Sequence, residues 1–213
     1  MLLLVWPGLR LSAEAALPDN TPRDVVNEAV EDDGTFHQGP SRSASIHVSP
    51  PALPNHPGRP VYRAMGEGFI AHSFKVAAEV DPDAKLYYND FNVERYINDK
   101  IRAVHGLVSR AIAAEARIDG IGMQDHARVG AAQSQKELTD TMNFFGEVVD
   151  EVAFPEVDIR HTTLPVGDEE REQQARDYAE TVRACLAVEK CVGITVWDFA
   201  DQVGYVVSSP YDD

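Results

Sequence analysis

At 213 residues, with 44% hydrophobic and 25% charged residues, the chain has the composition of a globular protein with one sizeable core. Its 35 acidic residues outnumber 19 basic ones, and the formal charge of −16 repels nucleic-acid phosphates and anionic membranes, so neither is an expected partner. No segment approaches the roughly 20 apolar residues that a membrane-spanning helix requires.

The N-terminus has only part of the pattern of a secretory signal peptide. An apolar stretch at Met1–Trp6 has no basic residues before it, and Pro7, Gly8 and Arg10 interrupt its continuation. Ala13-Glu14-Ala15 is the nearest approach to a cleavage site. We therefore recognise no convincing signal peptide here.

A first strand is predicted at Asp24–Glu28, and an irregular segment at residues 37–60 comes after it. That segment carries prolines, serines and histidines with no helical or alternating period. Such a composition buries too little apolar surface to become ordered. We interpret 37–60 as a disordered insertion, or as sequence foreign to the domain.

The remainder of the chain alternates between helices and strands. Apolar spacing predicts helices over Tyr62–Val80, through Ile97–Ile112, through Leu138–Phe145 and from about Glu169 to Val188. Strands are predicted at Lys85–Asp90, Ile118–Gln124, Val148–Phe154 and Gly193–Trp197. Strands that alternate with helices of ten or more residues indicate a parallel α/β sheet.

Polar side chains cluster where the predicted strands end. Two of them are glutamates, Glu28 and Glu156, each of which ends a short apolar run. In a parallel barrel all strand ends share one face, and two carboxylates facing one cleft are the minimal equipment for cleaving a glycosidic bond. Taken singly, each group also has a structural explanation as a loop, turn or core residue. The clusters are Asn27-Glu28, Asn89-Asp90, Gln124-Asp125-His126, Glu156-Val157-Asp158 and Trp197.

Four motifs together resemble, in order, segments among the last five barrel strands of glycoside hydrolase family 10. They are Asp24–Glu28, Leu86–Asn92, Gly120–His126 and Gly193–Asp201. The family consists mainly of endo-1,4-β-xylanases on a TIM barrel. The resemblance places the catalytic domain at 23–36 and 61–213, leaves 1–22 as a poorly matched N-terminal segment, and treats 37–60 as an insertion. Removing that insertion brings the separation of Glu28 and Glu156 near the one usual in the family.

The resemblance implies a retaining mechanism that uses two glutamates. Glu28 aligns with the acid/base and Glu156 with the nucleophile. His126 and Asp158 would form a hydrogen-bonded chain that keeps the nucleophile charged and oriented. Retention requires the two carboxyl groups to lie about 5–5.5 Å apart. The same two carboxylates and water suffice for hydrolysis, so no metal and no organic cofactor are implied.

The resemblance also implies a set of sugar contacts. Asn27 aligns with the residue that hydrogen-bonds the sugar 2-hydroxyl, and Trp197 offers a flat apolar face to a pyranose ring. Tyr205 stands where a second tryptophan is usual. The implied substrate-binding residues are Asn27, Tyr88, Gln124, His126, Trp197 and Tyr205.

Cys185 and Cys191 resemble a disulfide found between the last helix and last strand of fungal members. A disulfide at this pair implies an oxidising compartment, and hence secretion, although the N-terminus shows no convincing signal peptide.

Several positions depart from the family pattern. Arg23 replaces a tryptophan and places a charge that is costly if buried. Pro155 precedes the nucleophile and removes a backbone donor from a predicted central strand. Asp125 adds a carboxylate beside His126, and Asp198 replaces a glycine beside Trp197. The first three barrel strands, which carry further sugar ligands in the family, cannot fit into the 22 residues before Arg23.

The sequence therefore predicts an α/β fold, a partial TIM (β/α)8 barrel of about the last five βα units with a disordered insertion. The predicted function is an endo-1,4-β-xylanase that hydrolyses internal β-1,4-xylosidic bonds of xylan by retaining double displacement. The first alternative is a catalytically inactive, truncated remnant that at most binds polysaccharide. The second is an unrelated α/β protein with coincidental motifs.

Overall fold

The computed structural model of the chain describes residues 22–36, 65–95 and 97–197. The predicted insertion at 37–60, the segment 1–21 and Tyr205 lie outside these residues. Within the described ranges the chain forms six strands and four helices. In chain order these are β1 (Pro22–Asn27), α1 (Gly68–Val80), β2 (Lys85–Asp90), α2 (Asp99–Ala113), β3 (Gly120–Met123), β4 (His126–Arg128), α3 (Gln135–Phe145), β5 (Glu151–Arg160), α4 (Asp168–Ala187) and β6 (Cys191–Val196).

All of the strand pairs are parallel. Strands β1, β2, β3 and β5 are successive neighbours, and β6 pairs with β5 as well. The short β4 pairs with the C-terminal part of β5, so β3 and β4 lie one after the other along the same neighbour. The alternation of strands and helices predicted this parallel sheet, but β4 was not predicted, because three residues are too few to show a period.

The helices pack on one face of the sheet and bury their apolar stripes there. In α2, whose N-terminus is capped by the Asn98 side chain, the buried stripe includes Ile101, Val104 and Val108. Ser134 and Glu137 form a capping box that begins α3. Each large side chain fully buried in this layer contributes about 1.5–3 kcal/mol. These buried side chains therefore hold the helices against the sheet.

Strand β5 runs further than expected, and an irregularity in it explains why Pro155 is tolerated. The predicted strand ended at Phe154, yet β5 continues to Arg160. Its pairing with β3 stops at Ala153, and its register with β6 shifts between Phe154 and Val157. Pro155 lies in this bulge, where no ladder bond requires its missing N–H, so the expected cost to a central strand does not arise.

The charge at Arg23 is not buried either. Its side chain is half-exposed on β1, with Nε 4.0 Å from Oδ2 of Asp81. The cost of a buried charge therefore does not arise at this position.

The first helix differs from its predicted form in two respects. It begins at Gly68 rather than Tyr62, and Met65 and Val80 are exposed although the sequence pattern placed both in the apolar stripe.

Candidate active site

The polar strand ends meet at the carboxyl edge of the sheet, as predicted. Asn27 at the end of β1 lies in register with Asn89 at the end of β2, and Gly122 of β3 lies in register with Asn89 on its other side. His126 of β4 is in register with Asp158 of β5. The parallel pairing of these strands therefore brings groups that are far apart in the sequence to one edge.

Glu28 sits immediately after β1 in a left-handed backbone conformation, with φ of 53°. Its backbone N–H donates to the carbonyl oxygen of Asn89 at 2.9 Å. The side-chain amide of Gln124 reaches Oε1 of Glu28 at 3.2 Å and Oδ1 of Asn27 at 3.1 Å. Gln124 itself is buried, so it holds both β1 side chains from a fixed position.

Glu156 lies in the bulge of β5, and the bulge sets its direction. Val152, Phe154, Val157 and Ile159 are buried, so the alternation changes phase between Phe154 and Val157. One extra residue in a strand moves the following side chains to the other face. As a result Glu156 and Asp158 share the face opposite the helices.

Asn89 contacts both glutamates and was missed as a site residue by the sequence reasoning. Its Nδ2 atom donates to Oε1 of Glu156 at 2.7 Å, while its carbonyl oxygen accepts the N–H of Glu28. Asn89 is fully buried. The sequence interpretation treated Asn89-Asp90 as a strand end or turn, and its position in a polar cluster at a strand end was the available indication of a site role.

His126 links Glu156 to Asp158, as the resemblance implied. Its Nδ1 atom is 2.7 Å from Oδ1 of Asp158, and its Nε2 atom is 3.5 Å from Oε2 of Glu156. Burial by itself would lower the pKa of His126, but the bonds to Asp158 and Glu156 outweigh it and raise the pKa to about 10. At neutral pH the ring is therefore an imidazolium held between two carboxylates.

Two more carboxyl groups lie buried behind His126. Burial raises the pKa of Asp125 to about 6, and the charge of Asp158 adds to this, although the Thr181 hydroxyl at 2.9 Å and His126 oppose it. Burial, and then the charge of Asp125, raise the pKa of Glu94 to about 7. The sequence pattern marked Asp125 as an added carboxylate, but nothing in that pattern singles out Glu94.

The aromatic residues predicted to contact sugar fall in different places. Trp197 follows β6 with 40% of its surface exposed, and its ring stands edge-on to His126 at a centroid distance of 6.4 Å. Tyr88 needs a correction, because it is fully buried in the helix-side core and its hydroxyl donates to Asp90 at 2.6 Å. Because Tyr88 packs among the core residues, its side chain does not face the edge where Glu28 and Glu156 lie. Tyr205 lies outside the described residues.

The described part of the chain contains no group of three or more His, Cys, Asp or Glu side chains arranged to hold a metal ion. None of the helices described has the length and apolar character to span a bilayer. The predicted disulfide joins Cys185 of α4 to Cys191 of β6, with a Cα–Cα distance of 5.2 Å.

Comparison of the sequence with protein families gives a match over residues 20–212 to the family described as Glycosyl hydrolase family 10. Endo-1,4-beta-xylanase 5 of Pyricularia oryzae is 38% identical over 183 residues, which cover 86% of this chain and 40% of that protein. Endo-1,4-beta-xylanase D of Talaromyces funiculosus is 39% identical over the same length and also covered to 40%. The chain thus spans less than half of the length of these relatives.

Solved structures give the same picture of the fold. A family 10 xylanase from Bispora sp. MEY-1, crystallised with xylobiose, superimposes with a TM-score of 0.71 at 33% identity, covering 88% of this chain and 52% of that one. Xylanase 10B from Thermotoga petrophila, in complex with xylobiose, gives a TM-score of 0.71 at 27% identity, with coverage of 87% and 50%. Both the resemblance and the predicted partial barrel are therefore confirmed, and the alternative of an unrelated α/β protein is wrong.

Proposed function

Since the chain belongs to glycosyl hydrolase family 10, we propose that it is an endo-1,4-β-xylanase that cleaves internal β-1,4-xylosidic bonds of xylan with retention of configuration. The observation that carries the proposal is the double contact of Asn89, which binds Glu28 through its carbonyl oxygen and Glu156 through its side-chain amide. A single buried residue thereby links the backbone of Glu28 to the carboxyl group of Glu156 at one edge of the sheet.

In the first step of this mechanism, a carboxylate oxygen of Glu156 attacks the anomeric carbon. The bond from that carbon to the glycosidic oxygen breaks, and the carboxyl group of Glu28 gives its proton to the departing oxygen. The product is an ester between the sugar and Glu156, together with a shortened chain that carries a free hydroxyl.

In the second step Glu28 acts as a base. It takes a proton from a water molecule, whose oxygen attacks the same anomeric carbon and releases the carboxylate of Glu156. Two inversions at one carbon give net retention. Both residues end the cycle in the protonation states in which they began it.

The charges around Glu156 support its role as the nucleophile. A nucleophilic carboxylate must be ionised and must keep a lone pair on one of its oxygens available for attack. The Asn89 amide and the imidazolium of His126 both face Glu156, so they stabilise its charge and hold its orientation. Asp158 in turn holds the imidazolium ring in place.

The groups around Glu28 and the sugar support the remaining roles. Asn27 and Gln124 lie beside Glu28 and present amide groups of the kind that hydrogen-bond sugar hydroxyls. Trp197, which is partly exposed beside His126, offers an apolar ring face on which a pyranose can stack. Tyr205 extends this set in the proposal, as the resemblance implies.

We also place the protein outside the cell. Disulfides persist in oxidising compartments, and the Cys185–Cys191 bridge closes between α4 and β6.

A second candidate function is polysaccharide binding without hydrolysis. The 183 aligned residues cover 40% of the Pyricularia oryzae relative, so more than half of that relative has no counterpart in the alignment. Sugar ligands from those other strands would be absent from a site built by the aligned residues alone.

The test is the release of reducing sugar from xylan by the purified 213-residue chain, with Glu156→Gln as the isosteric variant and Glu172→Gln, on the exposed side of α4, as the matched control. We expect activity in the parent and in Glu172→Gln and a loss of at least about a thousandfold in Glu156→Gln. Proton NMR of the first product should show the β anomer before mutarotation. A folded parent that binds xylan in affinity electrophoresis but releases no sugar would establish the second candidate instead.

A further inference from the structure

A buried ion pair lies directly behind the turn that carries Glu28. Lys100 on α2 and Asp90 at the end of β2 have no exposed side-chain surface, and Nζ of Lys100 is 3.0 Å from Oδ1 of Asp90. The ammonium group also lies 3.3 Å from the centre of the Phe91 ring. A buried pair of this kind adds little net stability, because desolvation offsets the attraction between the charges. Its contacts with the neighbouring chain segments indicate a different role.

Asp90 connects this pair to the chain segment that follows Glu28. Its Oδ2 atom accepts the backbone N–H of Val30 at 3.4 Å and the hydroxyl of Tyr88 at 2.6 Å. Its Oδ1 atom accepts the N–H of Phe91 at 3.0 Å. Val30 is only two residues beyond Glu28, so Asp90 fixes the backbone on the C-terminal side of the glutamate.

A second connection reaches the same turn from Lys100. Oδ1 of Asp32 lies 3.6 Å from Nζ of Lys100, and both oxygens of Asp32 accept from Nδ2 of Asn92 at 3.0–3.1 Å. The turn also closes on itself, because the N–H of Glu31 donates to the carbonyl of Thr35 at 2.7 Å. Lys100 thus contacts two carboxyl groups: Asp90, which accepts the N–H of Val30 in the turn, and Asp32, which belongs to the turn.

Glu28 needs such support because its backbone is strained. A non-glycine residue with φ of 53° lies in the left-handed region and persists only where its surroundings determine it. The carbonyl of Asn89 holds the N–H of Glu28 itself. Without the hold on Val30, the backbone can relax and the carboxyl group swings away from the edge where Glu156 lies.

We propose that Lys100, acting through Asp90 and Asp32, is a positioning residue for the acid/base Glu28. The inference rests on the proposed glycosidase function for the role of Glu28, whereas the hold on the turn is a property of the fold. Lys100 touches neither substrate nor reacting atoms. Its effect is to keep the carboxyl group of Glu28 in line with the departing oxygen.

The chemistry supplies a readout that a general loss of structure does not imitate. Cleavage of a xylosidic bond expels a poorly stabilised alkoxide, so it needs the proton from Glu28. A 2,4-dinitrophenyl xylobioside expels a stable phenolate, so formation of its glycosyl-enzyme proceeds without that proton. A displaced Glu28 therefore slows the first reaction and spares the second, while damage to Glu156 slows both.

The experiment compares Lys100→Met and Lys100→Arg with the parent chain. Lys136→Met, which removes an exposed partner of Asp140 on α3, is the matched control. We expect Lys100→Met to lose at least about tenfold in kcat/KM on xylo-oligosaccharides, with the initial burst of dinitrophenolate unchanged. Turnover of the glycosyl-enzyme should recover when azide is added, because azide needs no base, attacks the anomeric carbon in place of water and releases Glu156 with a xylobiosyl azide as the product. Lys100→Arg should recover part of the loss. Equal losses on the two substrates, or no loss in a folded variant, would overturn the proposal.

Amide hydrogen exchange measured by NMR separates this proposal from the proposed function. The N–H of Val30 should exchange faster in Lys100→Met than in the parent, whether or not the chain hydrolyses xylan. Should Lys100→Met fail to fold, Asp32→Ala removes only the partly exposed connection and should raise the exchange rate of the same turn to a smaller degree. Unchanged exchange at Val30 in the folded variants would overturn the proposal even in an active enzyme.

Discussion

The Nδ1 atom of His126 lies 2.7 Å from Oδ1 of Asp158, and the two residues occupy directly paired positions on neighbouring strands. Because Nδ1 contacts Asp158, the Nε2 atom on the opposite edge of the ring is the nitrogen that faces Glu156. The register of a short strand, rather than a flexible loop, therefore determines the contact between His126 and the proposed nucleophile.

The first prediction concerns how stability depends on pH through His126. The folded-state pKa of His126 is raised from 6.5 to about 10, so its contribution is fully present below pH 6.5 and is lost as the pH rises toward 10. We expect His126→Gln to lower the free energy of unfolding by about 2 kcal/mol at pH 6, with the difference shrinking steadily up to pH 10. Urea unfolding at pH 6, 8 and 10 measures this.

His72→Gln, at an exposed histidine on α1, is the matched control for the loss of a histidine side chain. A constant difference between parent and His126→Gln at all three pH values would mean that the ring does not gain its charge on folding.

The second prediction concerns the buried carboxyl groups Asp125 and Glu94. Their folded-state pKa values are raised to about 6 and about 7, so the native state binds protons more strongly than the unfolded chain. Their contribution is present below about pH 4 and is lost as the pH rises through 6 to 7. Relative to the parent, Asp125→Asn and Glu94→Gln should each raise the free energy of unfolding by more at pH 8 than at pH 5. The difference between the two pH values should be on the order of 1 kcal/mol, since one pKa unit corresponds to about 1.4 kcal/mol.

Thermal melts of both variants across pH 5 to 8 test this, with Glu79→Gln on the exposed side of α1 as the control. Variants whose melting temperatures run parallel to that of the parent would show that these groups titrate alike in the folded and unfolded states.

The elements that depend on local pattern were predictable from the sequence. Strand β2 was placed at Lys85–Asp90 with the bounds that the structure gives, because an apolar run there is closed by polar residues. The resemblance supplied the order of the strands and the pairing of Cys185 with Cys191. These features need only neighbouring residues or a known family pattern.

The features that sequence reasoning missed depend on contacts between distant strands. The continuation of β5 past Pro155 rests on pairing with β4 and β6, which no local period reveals. Tyr88 and Asn89 are adjacent, yet one enters the core and the other meets Glu156, so assigning their roles requires the register of β2. Nothing in the sequence around Lys100 indicates that this helix residue is buried, because its burial depends on the contact with Asp90.

The third prediction concerns the bridge between Cys185 and Cys191. The two residues are six positions apart, so the bond closes a short loop and removes little entropy from the unfolded chain. Replacing both by alanine should lower the free energy of unfolding by about 2 kcal/mol, near the low end for disulfides. Urea titration with and without reductant measures this, and reductant should not affect the double alanine variant. A loss larger than about 5 kcal/mol would mean that the bridge holds more than its own loop.

The last prediction concerns the space that Gly122 leaves for Asn89. A Cβ atom at Gly122 would lie 2.6 Å from Oδ1 of Asn89 and 3.0 Å from Cγ of Pro155, so Gly122→Ala must displace the amide that donates to Glu156. Gly193 on β6 is the matched control, since a Cβ atom there meets none of the described residues within 4 Å. We expect Gly122→Ala to lose about ten- to a hundredfold in kcat on xylan, and Gly193→Ala to retain activity.

If the substitution at Gly122 acts through Asn89, the two positions cannot be independent. The double variant Gly122→Ala with Asn89→Ala should then be no less active than Asn89→Ala alone, because the displaced amide is already gone. Steady-state rates of the four proteins in this cycle give the coupling directly. Additive losses in the double variant would show that Gly122 supports the sheet in some way other than by leaving room for the side chain that binds Glu156.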